Sequence, residues 1–408
     1  MYFVKEILLT GIAIAVVGGC SSKANEPDQL PPTGEELAMK FIIVDGHIDV
    51  PYRLENNWED ISQKTNSGDF DYPRARKGGL DAPFMSIYIP ARYQQTGGAK
   101  AVADSLINLV TGIADDHPDK FALATSPEDI RRQFKEGLIS LPMGMENGAP
   151  IGTDLSNLEY FYDRGIRYIT LTHSEDNQIS DSSYDMSEDT HEGLSDFGRK
   201  VVKEMNRLGM MVDVSHITDE AFFDVIGTTQ APVVATHTSC RHFTPGFERN
   251  MGDSLIRRLA ENDGVIMINF GSTFLDSASA NSAERVRDQI DKKIAERDLE
   301  PGSEEARTFR ASYFEEHFAF STVEKVADHI DHVVDLVGID HVGLGSDYDG
   351  VGNTLPVGLK DVSTYPNLLS ELLDRGYTED EIQKICSGNI FRVWNRVEEI
   401  AQELQKDR

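Results

Sequence analysis

Short apolar runs rich in β-branched residues recur at Phe41–Val44, Phe84–Ile89, Leu138–Met145, Arg167–Leu171, Met210–Val214, Pro232–Ala235, Val265–Phe270 and His341–Leu344. Each has the length and composition of a buried strand. Between most of them the apolar spacing lengthens to a helical period, at Ala99–Ala114, Asp196–Leu208, Asp253–Glu261 and Thr322–Val337. Eight strands alternating with helices predict an α/β fold of the (β/α)8 TIM-barrel type; a doubly wound open sheet is the alternative with a similar alternation. The polar positions favour the barrel. Reactive side chains follow six of the eight runs at their C-terminal ends: His47 and Asp49, Glu146, His173, His216, His237 and Asp347. In a barrel those ends share one face, where catalytic groups gather. Asp45 and Gly46, just before His47, read as the turn that shapes this pair.

The other histidines do not follow this rule. His117, His191, His242, His317, His329 and His332 lie in charged loops or on helices and read as solvated or structural, and His341 opens the last run at the opposite rim. Two polar segments, Asn56–Leu80 and Ser272–Phe320, break the alternation. They are placed as loop insertions above the strand C-terminal ends, serving as lids, as subsite walls or as plain surface excursions.

The N-terminal region has a different pattern. Lys5 precedes an apolar run from Ile7 to Val17, and Val17-Gly18-Gly19-Cys20 puts small residues just before a cysteine, as a bacterial lipoprotein signal does. The run is shorter than the ~20 residues of a membrane-crossing helix. Residues 1–19 are therefore expected to be a signal peptide, with cleavage before Cys20 and acylation of its thiol. Residues 20–39 are expected to be a flexible tether, because Ser21–Glu36 has few apolar groups to bury. Residues 40–408 suit one barrel with insertions. The expected location is the membrane of a bacterial cell envelope, outside the cytoplasm, facing the periplasm or on the cell surface.

Charge narrows the partners. The net charge is −30, and residues 1–19 carry one Lys and one Glu, so cleavage leaves it unchanged. So acidic a surface excludes nucleic acid as a partner and excludes basic-patch adhesion to anionic lipid. Lipid on Cys20 would have to hold the protein at its membrane. Cys240 and Cys386 read as two small buried apolar residues, with pairing in an oxidising compartment as the alternative.

Imidazole nitrogens together with carboxylate oxygens suit Zn²⁺, and His47, Asp49, Glu146, His216 and His237 are one ligand too many for a single tetrahedral ion. Two Zn²⁺ per chain sharing Glu146 would use them all, with His47 and Asp49 on one ion and His216 and His237 on the other. Two adjacent cations yield hydroxide at neutral pH and polarise a carbonyl. That is equipment for hydrolysing an unactivated amide. Asp347 ends the last strand and is assigned the proton transfer, with Asp349 as the runner-up or a turn residue before Gly350. His173 shares the rim without being needed as a ligand; it is read as a donor to the developing oxyanion, or as a core histidine. His191-Glu192 lacks the second histidine of a zinc helix, and no Gly-x-Ser-x-Gly elbow, P-loop or Gly-x-Gly-x-x-Gly turn is present.

From Phe41 to Arg396 the chain resembles the membrane (renal) dipeptidase family, metallopeptidases of the amidohydrolase barrel type. The resemblance rests on Asp45-Gly46-His47-Ile48-Asp49, Leu171-Thr172-His173, Asp213-Val214-Ser215-His216, Ala235-Thr236-His237-Thr238-Ser239, Arg249-Asn250, Gly345-Ser346-Asp347-Tyr348-Asp349-Gly350 and Gly388-Asn389. It implies a zinc-dependent dipeptidase with the ligand set above, Asp347 as acid and base, and His173 over the scissile carbonyl. It adds Arg249 as the group that binds the substrate carboxylate, a fork suited to bidentate pairing. It implies dipeptide substrates, among them some with a D-residue on the carboxyl side, and leaves a homodimer open. Asn147-Gly148-Ala149 stands where the family has Gly-Gly-His after the glutamate, and Gly271 where it has tyrosine. Both departures are expected to alter side-chain preference. The rival readings are a related metal amidohydrolase acting on N-acyl amino acids or lactams, and a catalytically inactive binding lipoprotein.

Overall fold

All eight apolar runs become strands, because β-branched side chains buried on both faces suit a parallel sheet covered by helices. In the computed structural model, which describes residues 1–2, 31–185, 187 and 190–406, they are β1 (Ile43–Ile48), β2 (Leu80–Tyr88), β3 (Met143–Glu146), β4 (Ile166–Thr170), β5 (Met211–Asp213), β6 (Val234–Ala235), β7 (Val265–Ile268) and β8 (Val342–Leu344). Every neighbouring pair is parallel, and β1 pairs with β8 to close the barrel. The predicted (β/α)8 fold is the one observed. Side-chain caps start the outer helices where the sequence changes period: Ser126, Ser195 and Thr218 accept from the backbone N–H groups of Asp129, Gly198 and Ala221.

Below the strand C-terminal ends the barrel is filled with apolar side chains. Val44, Phe84, Tyr168, Met211, Val234, Val265 and Met267 pack with Trp394 of the C-terminal helix Asn389–Lys406. Trp394 lies 5.3 Å from Phe84, centroid to centroid. Truncating a plug of that size costs about 3–5 kcal/mol, so this end supplies rigidity and the opposite end is left for chemistry. Cys240 and Cys386 are unpaired and buried. His329 is structural: its Nδ1 accepts from the Cys240 N–H and its Nε2 donates to the Leu275 carbonyl, both at 2.9 Å.

Two expectations are corrected. The run Leu138–Met145 is split by Pro142, whose missing N–H interrupts a ladder. Ile139–Leu141 pairs outside the barrel with Phe121–Leu123, a strand too short to stand out in the sequence, and only Met143–Glu146 enters the barrel. Regular structure also begins before residue 40. Gly34–Lys40 is a helix closed by a Thr33/Glu36 capping box, with Leu37 and Ala38 buried. The Thr-x-x-Glu spacing before Leu37 was the sequence signal for it. Most of the expected signal segment, and Cys20, lie outside the described residues. Among the described residues no helix is long and apolar enough to cross a membrane.

The insertions do lie above the strand C-terminal ends. Asn56–Leu80 is tied to the loop after β8 by reciprocal bonds: Asp69 N–H donates to Asp349 Oδ1 at 2.6 Å, and Asp349 N–H to Asp69 Oδ2 at 2.9 Å. Ser272–Phe320 folds as the helices Ser272–Leu275, Ser277–Glu296 and Glu304–His317, with their own apolar cluster around Val286, Ile290 and Phe314. A third excursion, residues 171–195 after β4, escaped the apolar pattern.

Candidate metal centre

Each donor reaches the barrel mouth because it sits at, or within three residues of, a strand end. His47 lies in β1 and Asp49 follows it; Asp49 occupies the N-cap position of helix Val50–Asn56 but makes no side-chain cap bond, which leaves its carboxylate free. Glu146 ends β3, and His173, His216, His237 and Asp347 follow β4, β5, β6 and β8. His216 and Asp347 hold positive φ angles of 71° and 62°. That costs backbone energy in non-glycine residues and recurs at functional sites.

The donors converge. His216 Nε2 is 2.9 Å from His237 Nε2. Glu146 Oε1 lies 3.1 Å from His216 Nε2, 3.3 Å from His237 Nε2 and 3.6 Å from His173 Nε2, whereas its Oε2 faces His47 Nε2 at 3.5 Å. His47 Nε2 is 3.6 Å from Asp49 Oδ2. Asp347 has an oxygen within 4.8 Å of ligand atoms of both His47 and Asp49, and His173 stands equally close to Glu146 and His216.

Neighbouring hydroxyls set the tautomers. Tyr168 donates its O–H to the Gly46 carbonyl at 3.1 Å, so at 2.9 Å it accepts from His47 Nδ1. Thr236 donates to Asp213 Oδ2 at 2.7 Å and accepts from His237 Nδ1 at 2.9 Å. Both imidazoles therefore present an Nε2 lone pair to the centre, the arrangement by which outer hydrogen bonds orient metal ligands.

The electrostatics call for added positive charge. Burial raises the Glu146 carboxyl, but His47, His173 and the bonds from His216 and His237 hold it well below the carboxylate range. Burial, then the Arg249 charge, keeps His216 well below its ordinary value; burial, then His47, brings His237 down to about 4. Burial disfavours a charged His47, yet the Tyr168 and Glu146 oxygens outweigh it and lift that ring well above normal. His47 Nε2 and Asp49 Oδ1 are buried with no hydrogen-bond partner. Neutral His216 and His237 beside a buried carboxylate, with the unpartnered His47 Nε2 and Asp49 Oδ1 across from them, fit divalent cations, which would take the place of a proton on His47.

Asp347 is pushed well above the carboxylate range by burial and then by Asp49, and Asn269 Nδ2 donates to its Oδ2 at 2.8 Å. Asp349 is a clamp: its carboxylate takes Arg53 Nε at 2.9 Å as well as the Asp69 N–H. Arg249 is buried, donating to Thr238 Oγ1 at 2.8 Å, to the His237 carbonyl at 2.9 Å and toward His216 Nε2 at 3.0 Å. Its Nε has no partner. Asp49, Glu146, His173, His216, Arg249, Asp347 and Asp349 face a cavity of about 360 Å³ walled also by Tyr52, Tyr88, Tyr184 and Phe274.

The site corrects three readings. Asp45 is no shaping turn; it lies inside β1, accepting from the N–H groups of His47 and Ser346 and from the hydroxyls of Ser346 and Tyr365, and so pins β1 to the loop after β8. Asn147 and Ala149 do not line the cavity. Asn147 ties the loops after β2, β3 and β4 through Ile89, Gln94 and Asn177, and Ala149 packs in the core. The strands left without a reactive residue contribute too: Tyr88 ends β2 and Asn269 follows β7, so the rule of polar strand ends holds for all eight.

The sequence profile of the family described as Membrane dipeptidase (Peptidase family M19) matches residues 33–408. The dipeptidase aclJ of Aspergillus oryzae is 34% identical over 384 residues, covering 91% of this chain and 81% of its own. The crystal structure of the probable dipeptidase PvdM from Pseudomonas aeruginosa is similar at a TM-score of 0.76 and 29% identity, over 90% of this chain and 98% of that one. A metallopeptidase from Rhodobacter sphaeroides, crystallised with a phosphinate mimic of the dipeptide L-Ala-D-Ala, is similar at a TM-score of 0.72 and 28% identity, over 88% of this chain and 99% of that one.

Proposed function

The chain belongs to the membrane dipeptidase family, peptidase family M19, and from that premise we propose that it cleaves dipeptides at two Zn²⁺ ions, one held by His47 and Asp49 and one by His216 and His237, with Glu146 shared. The observation that carries this reading is the division of the Glu146 oxygens, Oε2 toward His47 at 3.5 Å and Oε1 toward His216 and His237 at 3.1 and 3.3 Å. When bound, such ions acidify water and polarise a carbonyl.

The side chains divide the remaining work. Arg249 holds the free carboxylate of the substrate, which limits cleavage to the bond one residue away. Asp347 takes the proton of the attacking water at its carboxylate and passes it to the leaving nitrogen; Asn269 holds that carboxylate in place. His173, on the cavity wall, donates to the carbonyl oxygen as charge develops there. The ligand carried by the Rhodobacter sphaeroides relative supports acceptance of a D-residue on the carboxyl side. The small residues before Cys20 support a lipid anchor that displays the enzyme outside the cytoplasm.

The test is metal analysis combined with kinetics. Protein stripped by chelator and reloaded with Zn²⁺ is expected to hold about two ions per chain and to cleave L,L- and L,D-dipeptides. Less than one ion per chain would overturn the two-metal assignment. Faster turnover of N-acyl amino acids than of any dipeptide would overturn the substrate assignment.

A further inference from the structure

The catalytic cavity adjoins a second, larger chamber of about 570 Å³, and the two share Tyr184, Phe274, Gly350 and Val351 as walls. Small-molecule sites span roughly 300–1,000 Å³, so the catalytic cavity alone is a site of ordinary size and the chamber is additional. Its far wall is the inserted helix Ser277–Glu296, through Ala280, Glu284 and Arg287. Phe247 stands 5.7 Å from Phe274 and 6.1 Å from Tyr184, making a continuous aromatic wall at the entrance.

Resting on the dipeptidase reading, we propose that this chamber is a subsite for a bulky aromatic side chain on the carboxyl-side residue of the substrate. The Arg249 guanidinium lies 5.5 Å over the Phe274 ring, so a residue whose carboxylate Arg249 holds has its Cα beside the chamber entrance. A dipeptide ends at the carboxylate that Arg249 holds, so no further backbone remains on that side to enter the chamber. Only a side chain can use the space. Half-buried aromatic walls favour aromatic occupants, edge to face or offset. Glu284 and Arg287 put one charge of each sign at the far end, so the chamber selects for size and not for net charge. Gly271 keeps the passage open. A Cβ there would come within 2.7 Å of Val351 Cγ1 and 2.9 Å of Phe274 Cδ2, displacing two shared walls.

The experiment measures kcat/KM for dipeptides with alanine on the amino side and Ala, Leu, Phe or Trp on the carboxyl side, in L and D forms, with Zn²⁺-loaded protein. The Phe and Trp substrates are expected to exceed the Ala substrate by about tenfold or more in the accepted chirality. Ala280→Trp, which fills the chamber from the helix, and Gly271→Ala, which narrows the passage, are each expected to reduce the Trp-to-Ala ratio by about tenfold. Cleavage with no aromatic preference, or a preference that both variants leave intact, overturns the subsite while sparing the dipeptidase reading. Failure to cleave any of the series overturns the dipeptidase reading itself.

Discussion

Gly350→Ala probes how tightly the carboxylates of Asp347 and Asp49 are held. Gly350 follows Asp347-Tyr348-Asp349 in the loop after β8, and its added Cβ would lie 2.1 Å from Asp347 Oδ1 and 2.2 Å from Asp49 Oδ2. Carbon and oxygen that are not bonded stay at least 3.0 Å apart in practice, so each carboxylate must retreat by about 0.9 Å, and a 1 Å misplacement costs about 10²-fold in rate. Two carboxylates with different roles move together. The expected result is a fall in kcat of about 100-fold, close to 3 kcal/mol in the barrier, with weaker Zn²⁺ retention on the Asp49 side. Gly350 is exposed and absent from the positive-φ residues, so stability should shift by only about 0.5 kcal/mol. Steady-state kinetics, metal analysis and a thermal melt on the same preparation decide the matter. If Gly350→Ala keeps more than about a third of the wild-type kcat with full metal content, the crowding argument is wrong.

Four further outcomes are expected. Arg249→Ala should lower kcat/KM for free-carboxylate dipeptides about 10- to 100-fold more than for their C-terminal amides; equal losses would remove its carboxylate role. Tyr168→Phe deprives His47 Nδ1 of its acceptor and should weaken Zn²⁺ binding about 10- to 100-fold in a chelator competition, with unchanged affinity refuting the tautomer assignment. Asp81 is raised to about 7, burial outweighing the Ile43 N–H and Arg76. A carboxyl whose folded pKa is raised stabilises the fold below its unfolded value and loses that contribution as pH rises through about 7. Asp81→Asn should therefore gain about 2 kcal/mol over wild type at pH 8 and nothing near pH 4; a melt showing it less stable at pH 8 would contradict this. Cys20→Ser in a bacterial host should shift the protein from the membrane fraction to the soluble one, and a membrane-bound variant would exclude lipid as the anchor.

The barrel was legible because its strands are apolar and β-branched and its helices carry a different period. The candidate donors were legible for a related reason: each stands next to a strand end, and a strand's position in a barrel follows from its order in the chain. What escaped notice were groups whose local setting is ordinary. Tyr168 sits in an apolar run and reads as core, yet its hydroxyl sets the His47 tautomer. Asp45 precedes a glycine and reads as a turn, yet it is fully buried and pins β1 to the β8 loop. Arg249 lies in a polar loop and resembles a surface arginine; only the family resemblance singled it out, and only the fold buries it beside His216.

The sequence by itself determined the strand order, the eight strand ends and the identity of the donors they carry, since these depend on neighbours a few residues away. Tertiary structure alone decided which Glu146 oxygen faces which histidine, which imidazole nitrogen is left free, and that the inserted helix encloses a second chamber beside Phe274. Those features are distances and protonation states fixed largely by contacts between residues far apart in the chain, as in Glu146 with His216, His47 with Tyr168 or Asp45 with Tyr365. No pattern along the chain encodes such a contact until the barrel closes and brings both ends to one face.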